Sequence, residues 1–413
     1  MNELVFRRDT CRLCSGRNLE LVLQLAPTPP VDAYVSAELL NKVQKTYPLD
    51  VFLCHSCGHV QLLDVVSPKI LFGSYIYETA SSPGLVEHFH RYANDVLDFV
   101  KPAADALVID IGSNDGTLLR FFKERRFRVL GVDPAREIAG KATQFGIETL
   151  PCFFTDNLAG KIRTDYGPAA VITANNVFAH ADDLAGMTDG ISKLLAPDGV
   201  FVFEVHYLLD MVKGMIFDFI YHEHLCYHSV KPLKTFLRCH NLELIDVQRT
   251  PVKGGSLRCI AQPLGGPRVV SSSVAELIGL EERIGLDRPE MFKSFAAQID
   301  RVKTELVSLL SGLKKQEKSV AGYGASATST VLIYHFDLGD VLNFIVDDNP
   351  QRQNLFSPGY HIPVLSPRAI DERKPDYMLI LVWRFSKMII EQHRAYLDRG
   401  GHFILPLPDI KVI

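Results

Sequence analysis

Nowhere does the sequence hold an apolar run of the ~18 residues needed to cross a bilayer. Its opening Met1-Asn2-Glu3-Leu4-Val5-Phe6-Arg7-Arg8-Asp9 also has no apolar core of the kind a signal peptide carries. The expectation is a cytoplasmic protein with no membrane partner. Charge of one sign is missing too: 44 Lys and Arg stand against 48 Asp and Glu, and the densest basic clusters, Arg125-Arg126 and Lys314-Lys315, are short and flanked by Glu. With no basic face the chain lacks the electrostatic footprint of a nucleic-acid partner. Internal repeats and low-complexity stretches are absent as well, which excludes solenoids and linker-like segments.

What remains is an ordinary globular composition. With 47% hydrophobic and 22% charged residues the chain lies far from the disordered regime, so folded structure is expected throughout. At 413 residues it is too long for one core, and two to four domains are expected. Four of the eight cysteines form two C-x-x-C pairs, Cys11-Arg-Leu-Cys14 and Cys54-His-Ser-Cys57. In a reducing compartment such pairs point to metal, and four thiolates complete a closed tetrahedral shell for one zinc ion. A closed shell leaves no position for water, so this zinc is expected to be structural. His55 and His59 stand near enough in sequence to be alternative ligands, while Cys152, Cys226, Cys239 and Cys259 lie in apolar sequence and read as buried thiols.

Patterning divides the chain in three. The first part carries the cysteines and Ala26-Pro27-Thr28-Pro29-Pro30, with little helical periodicity. The second opens with a helix-like stretch over 83–100. It then alternates helices with short β-rich apolar runs at 106–111, 128–132, 170–174 and 200–205, the pattern of a parallel α/β sheet. It closes on a hairpin, 242–247 and 256–261, joined through Lys253-Gly254-Gly255. The third begins with an amphipathic helix on which Phe292, Phe295, Ile299, Val302, Leu306, Leu309 and Leu313 recur every three or four residues. Strand-like runs return at 320–322, 341–346, 377–382 and 403–405, which predicts a second, smaller α/β unit.

Residues 106–116, Ala-Leu-Val-Ile-Asp-Ile-Gly-Ser-Asn-Asp-Gly, form a strand carrying Asp110 and a turn through Gly112 and Asn114 into a helix start near Thr117. Glycines let the backbone approach a ligand, and a helix N-terminus offers free N–H groups to a carboxylate. This suits the methionyl end of S-adenosylmethionine. Roughly twenty residues on, a second strand ends in Asp133-Pro134, where an Asp accepts both ribose hydroxyls. The next strand ends in Asn175-Asn176. One glycine after a strand is only a turn. Two acids ending successive strands, without the third glycine of a dinucleotide fingerprint, put S-adenosylmethionine ahead of NAD. Asn175-Asn176-Val177-Phe178 also departs from the Asn-Pro-Pro-Tyr stretch of nucleobase-amine methyltransferases, which disfavours such a substrate.

Residues 220–228, Ile-Tyr-His-Glu-His-Leu-Cys-Tyr-His, gather three histidines, two tyrosines and a carboxylate after the fourth strand, at the sheet end where α/β enzymes place ligands. The spacing does not match the i, i+4 pair of zinc hydrolases, and the density favours acid–base chemistry over structural histidines. The C-x-x-C pairs, Val-Ile-Asp-Ile-Gly-Ser-Asn-Asp-Gly at 108–116, Asn-Asn-Val-Phe-Ala-His at 175–180, Tyr-His-Glu-His at 221–224 and Gly-Tyr-Gly-Ala-Ser at 322–326 occur in one order along essentially the whole chain. With them the sequence resembles the tripartite zinc-containing sugar C-methyltransferases, which methylate C-3 of nucleotide-linked 4-keto-6-deoxysugars. The resemblance implies that His224 is the general base, with Tyr221, Glu223, His180 and Tyr75 around the sugar, and that the partner is a nucleotide-linked keto-sugar. The chemistry agrees. A C-3 hydrogen beside a C-4 ketone is acidic enough for a base with a pKa near neutrality, provided the enolate oxygen is stabilised. Glu223 or Tyr221 suits orientation of the sugar or imidazole, and Tyr221 or His180 suits donation to the oxyanion.

The expected fold is therefore α/β in three parts: a small zinc-binding module over 1–72, a Rossmann-like class I methyltransferase domain over 73–265, and a smaller Rossmann-like α/β domain over 266–413. In the last, residues 319–328 repeat the strand, glycine turn and helix start, and a later strand ends in Val346-Asp347-Asp348. Alone this fits a duplicated scaffold without ligand. The resemblance assigns it to the nucleotide-sugar, with N–H groups near Gly324 and Ser326 meeting the diphosphate, Asp347 beside them, and Lys253, Ser256 and Arg258 adding contacts from the hairpin. A zinc-ribbon RNA methyltransferase is disfavoured by the mixed charge. A non-catalytic S-adenosylmethionine- or nucleotide-binding regulator is disfavoured by the histidine cluster. Monomer and homodimer both stay open.

Overall fold

The computed structural model describes residues 5–71 and 78–413. The cysteine-bearing part forms an antiparallel four-stranded sheet ordered Cys226–Tyr227, Val60–Leu62, Tyr47–Cys54, Leu19–Thr28. Leu49, Val51 and Leu53 alternate inward along the third of these, as a half-buried strand requires. The edge strand Cys226–Tyr227 comes from the histidine-rich segment, so this sheet is completed by residues far away in sequence. A ribbon of Val5–Arg7 against Asp64–Val66 lies beside it.

The central sheet has seven strands in the order Leu242–Thr250, Ser256–Pro263, Leu195–His206, Ala169–Asn175, Leu107–Ile111, Arg128–Val132, Thr149–Leu150. The last five are mutually parallel, and Ser256–Pro263 is antiparallel to both of its neighbours. The expected hairpin is thus present, with its returning strand inserted between the parallel strands and Leu242–Thr250. The parallel strands read as unbroken apolar runs because both faces are covered. Val108, Val171, Val200 and Val202 pack with helices Pro83–Val100 and Thr117–Glu124, while Ile109, Ile172, Phe201 and Phe203 face the opposite core.

The third sheet runs Val364–Leu365, Ile345–Val346, Val320–Tyr323, Tyr377–Ile380, His402–Leu405, Lys411–Val412, parallel except for its last pair. Helix Pro289–Lys315 leads into it and lies against strand Leu19–Thr28 of the first sheet. It buries Phe292, Phe295, Ile299, Val302, Leu306, Leu310 and Leu313. Leu309, expected on this seam, is only partly buried, because after Leu306 the four-residue step to Leu310 stays nearer the stripe. Each such side chain contributes about 1.5–3 kcal/mol by leaving water. Among the described residues no helix is long and apolar enough to cross a membrane.

Candidate active site

The four knuckle cysteines converge. Their sulfur atoms all lie within 4.8 Å of one another, with Cys11 Sγ 3.7 Å from Cys57 Sγ and Cys14 Sγ 3.6 Å from Cys54 Sγ. Zinc–sulfur bonds of about 2.3 Å in a tetrahedron set sulfur–sulfur edges of about 3.8 Å, so the residues fit a zinc ion with no open position. Neither histidine considered as an alternative ligand joins them: His55 Nε2 lies 2.7 Å from Glu20 Oε2, and His59 is fully buried against His228. Arg12, between the first two cysteines, is buried and donates to Gln61 Oε1 at 3.2 Å, to the Leu62 carbonyl and, through Nε, to Asp182 Oδ1 at 3.0 Å. The knuckle is thereby tied to the loop that carries His180.

The first glycine turn adopts the conformation the sequence anticipates. Gly112 has φ +73°, and a Cβ there would stand 2.2 Å from Val177 Cγ2, so only glycine fits where the loops after two strands meet. Asp133 Oδ2 accepts the Asn114 N–H at 2.8 Å and Oδ1 accepts the Ala135 N–H at 2.8 Å, which leaves its outer lone pairs for a ribose; Pro134 is exposed within that turn. Asp110 is buried and accepts from Thr173 Oγ1 at 2.6 Å; burial pushes its carboxyl up to about 7. Asn175 Oδ1 accepts the Glu204 N–H, while Asn175 Nδ2 and Ser113 Oγ are buried at the strand ends with no hydrogen-bond partner. Orphaned polar groups beside a left-handed glycine turn fit an adenosyl ligand that would satisfy them. Asn114 Oδ1 also accepts the Thr79 N–H at 2.8 Å, which pins the turn at Thr79 to the cofactor loop. Tyr75 lies outside the described residues.

The histidine segment closes over the same sheet end. Tyr221 lies with its ring centroid 4.0 Å from that of His224, His180 at 5.0 Å and His206 at 4.8 Å. His224 Nδ1 is 2.6 Å from the Phe219 carbonyl, which only accepts, so Nδ1 carries the proton and Nε2 keeps a lone pair. Burial holds the His224 imidazole down to about 3 and keeps it neutral. His180 and His206 are held well below the ordinary imidazole range, first by burial and then by the neighbouring His224 and Lys253. Burial first, then Asp32, pushes the Glu223 carboxyl up to about 8.

Lys253, at φ +54° in the hairpin turn, is solvent-accessible, yet enclosure by protein is the first cause pushing its ammonium down to about 8. The other two hairpin residues do not act as expected. Arg258 is buried on the helix side, with Nε donating to Glu204 Oε1 at 2.7 Å and Nη1 to Asp95 Oδ2 at 2.9 Å, so its donors are committed within the protein. Ser256 is buried and gives its hydroxyl to the Val252 carbonyl. In the C-terminal unit Gly324 is left-handed at φ +97°, and Asp347 accepts the Ala325 and Asn349 N–H groups at 2.6 and 2.8 Å, the arrangement of Asp133 repeated. The Ser326 side chain caps its own helix in a capping box with Ser329, so its N–H and hydroxyl are already used.

Three family models cover the chain: "Putative zinc binding domain" over residues 11–72, methyltransferase domain over 85–247, and C-methyltransferase C-terminal domain over 251–408. The chain is 34% identical to C-methyltransferase NovU of Streptomyces niveus over 414 residues, which span 100% of this chain and 99% of that protein. The chain belongs to this C-methyltransferase family. As a C-methyltransferase it uses S-adenosylmethionine and carries one zinc on its four cysteines. Among solved structures, the PH0226 protein of Pyrococcus horikoshii OT3 is 12% identical with a TM-score of 0.37, over 46% of this chain and 97% of that one. Magnesium protoporphyrin IX methyltransferase (ChlM) from Synechocystis PCC 6803 is 17% identical with a TM-score of 0.34, over 46% and 90%.

Several residues of this C-methyltransferase site escape the sequence. His206 ends a buried strand and stands beside His224, and its only signal is a polar residue at the ligand end of an apolar run. Arg352 joins the C-terminal unit to the first part by donating to the Ala325 carbonyl and, through Nη2, to Asp32 Oδ1 at 2.9 Å. Nothing local marks it.

Proposed function

We propose that this C-methyltransferase methylates C-3 of a nucleotide-linked 4-keto-6-deoxysugar, with His224 as the base. The observation that carries this reading is the contact of His224 Nδ1 with the Phe219 carbonyl, which leaves Nε2 as the unprotonated nitrogen of an imidazole set beside Tyr221, His180 and His206. A neutral amine can attack a methyl donor directly, whereas a carbon beside a ketone must first lose a proton. A base of this kind, next to donors for an enolate oxygen, suits a carbon acid beside a ketone.

Asp110, Gly112, Asn114 and Asp133 would hold S-adenosylmethionine, which would supply an electrophilic methyl group and keep the electron pair of the broken sulfur–methyl bond as a neutral thioether. His224 Nε2 takes the C-3 proton. The free imidazole is a weak base at about 3, and the two negative charges of a substrate diphosphate near Lys253 and Gly324 raise its basicity when the site fills. Glu223, which burial and Asp32 hold up near 8, still carries a proton at neutral pH and donates it in a hydrogen bond to the C-4 oxygen, together with Tyr221 or His180.

The test incubates the protein with methyl-labelled cofactor and, separately, a panel of nucleotide 4-keto-sugars and total RNA. Label in a keto-sugar, with His224→Asn losing turnover while still binding cofactor, supports the reading. Label in RNA, or turnover retained in His224→Asn, overturns it.

A further inference from the structure

We infer that the ion pair Asp218–Arg384 is a positioning device for His224: the C-terminal unit clamps the short turn whose carbonyl fixes the tautomer of the base. The inference rests on the assignment of His224 as base, and the geometry beneath it is independent of any substrate.

Asp218 sits in the turn Phe217–Phe219 and is fully buried. Arg384 Nη1 donates to both of its oxygens, at 3.0 and 2.8 Å, and Trp383 Nε1 donates to Oδ2 at 3.0 Å. Both partners belong to the turn Trp383–Phe385, just past the strand Tyr377–Ile380 of the C-terminal sheet. The next residue of the clamped turn is Phe219. Its carbonyl accepts from His224 Nδ1, and its ring lies parallel to the His224 imidazole at 9°, with centroids 6.0 Å apart. The Arg384 guanidinium stands 4.4 Å from the centroid of the same Phe219 ring. One arginine therefore holds Phe219 twice, by stacking on its ring and by anchoring the residue before it.

Burying a carboxylate and a guanidinium at a junction contributes little net stability compared with apolar packing. Here the pair imposes geometry instead, because Nη1 is shared between both carboxylate oxygens while the planar guanidinium stacks on the Phe219 ring and its Nη2 reaches Thr328. Here the imposed geometry ends at a hydrogen bond that decides which nitrogen of His224 is free. Without the Phe219 carbonyl in place, the neutral imidazole is free to populate the tautomer with Nε2 protonated, which cannot accept a proton there. Arg384 Nη2 also reaches Thr328 Oγ1 at 3.4 Å, at the start of the helix after the Gly324 turn. A Cβ on Gly254 would stand 3.1 Å from Arg384 Cδ, next to Lys253. The clamp thus lies where base, hairpin turn and C-terminal glycine turn meet.

The experiment uses full-length, zinc-loaded protein labelled with 15N-histidine, the His224 signal being assigned by its loss in His224→Asn. Imidazole 15N shifts are read for wild type, Arg384→Ala, Arg384→Lys and Asp218→Asn, alongside kcat, KM for the keto-sugar, cofactor affinity and melting temperature. Wild type is expected as the Nδ1-protonated tautomer. Arg384→Ala and Asp218→Asn are expected to show a tautomer mixture and a fall in kcat on the order of 100-fold, with cofactor affinity unchanged. Arg384→Lys keeps the charge without the planar group that stacks on Phe219 and should fall between. If Arg384→Ala or Asp218→Asn does not fold, Arg384→Lys alone decides, by the same tautomer shift. A wild-type His224 protonated on Nε2, or variants that keep tautomer and kcat while only melting earlier, would overturn the inference. The tautomer readout needs no substrate, so a failure of the keto-sugar reading leaves it decisive.

Discussion

The main-chain N–H of Leu62 donates to the carbonyl of Leu225 at 3.0 Å, one residue past His224. Immediately after, Cys226–Tyr227 pairs antiparallel with Val60–Leu62 as the edge strand of the cysteine-bearing sheet. The zinc fold is therefore the template on which the histidine segment is laid, and Arg12 adds a second link through Asp182 to the His180 loop.

Removal of zinc should consequently reach the catalytic segment. Chelation, or Cys14→Ser, is expected to raise amide exchange across residues 221–228 as well as 11–62, with turnover falling at least tenfold, since small metal-organised units take much of their folding free energy from the metal. Hydrogen-exchange mass spectrometry checks this. Protection retained over 221–228 in the metal-free protein would show that the two regions are not coupled.

A second prediction concerns Asp133, read as the cofactor's ribose ligand. It satisfies two backbone N–H groups of the turn and presents its remaining lone pairs outward. A hydrogen bond to a charged group is worth about 1.5–3 kcal/mol, so losing even one ribose contact in Asp133→Ala should weaken S-adenosylmethionine binding by about 10- to 100-fold. Titration calorimetry measures it, with His224→Asn as the control expected to bind normally. Equal weakening in both variants would mean that a general disturbance of the site, not the loss of this carboxylate, was measured.

How much of this was legible in the sequence depended on whether the determinant was local. Residues 106–116 contain strand, acid and glycine turn in one run, and Gly112 adopts the positive φ that run demands. The cysteine pairs likewise announced their cluster, though not that His55 would turn to Glu20. The edge strand Cys226–Tyr227 could not be read, because its partner lies more than a hundred and fifty residues away and two residues carry no periodicity. His206, Asp218 and Arg384 were hidden for the same reason. Each looks like an ordinary polar residue near an apolar run until the chain folds back. Arg258 misled in the opposite direction, since a basic residue on a hairpin near the site suggests a ligand, and only the paired register of Arg258 with Glu204 shows where its charge goes.

Stability should vary with pH in a defined sense. His206, His222, His224 and His228 are buried and held below their ordinary values, the last three at about 4, 3 and 4, burial being the first cause in each. Below about pH 6.5 the unfolded chain binds protons that these folded imidazoles refuse, so stability falls with falling pH by about 1.4 kcal/mol per unit for each group. Asp110 and Glu223, raised to about 7 and about 8, act oppositely: their contribution is present in acid and is lost as pH rises through those values. Taken by themselves, these six groups place the maximum near pH 6.5. Calorimetric melting temperatures across pH 5 to 9 check this, and a midpoint still climbing between 6.5 and 8.5 would contradict it.

The committed state of Arg258 leads to a last expectation. Glu204 is almost fully buried, accepts from Arg258 Nε through Oε1, and lies 2.7 Å from His88 Nε2 through Oε2. Burial alone would raise this carboxyl, but His88 and Arg258 outweigh it and hold the group below its ordinary value. Arg258→Leu leaves a buried carboxylate with one partner fewer and should cost about 3–5 kcal/mol. Glu204→Leu combined with Arg258→Leu removes both charges and should recover much of that loss, because replacing a whole buried pair with apolar groups is often neutral. Denaturant unfolding of the two single variants and the double variant gives the coupling directly. If Arg258 instead contacts substrate, the double variant stays as inactive as Arg258→Leu, and its KM for the keto-sugar rises while stability returns. If it serves only the fold, restored stability brings restored turnover, and KM does not move.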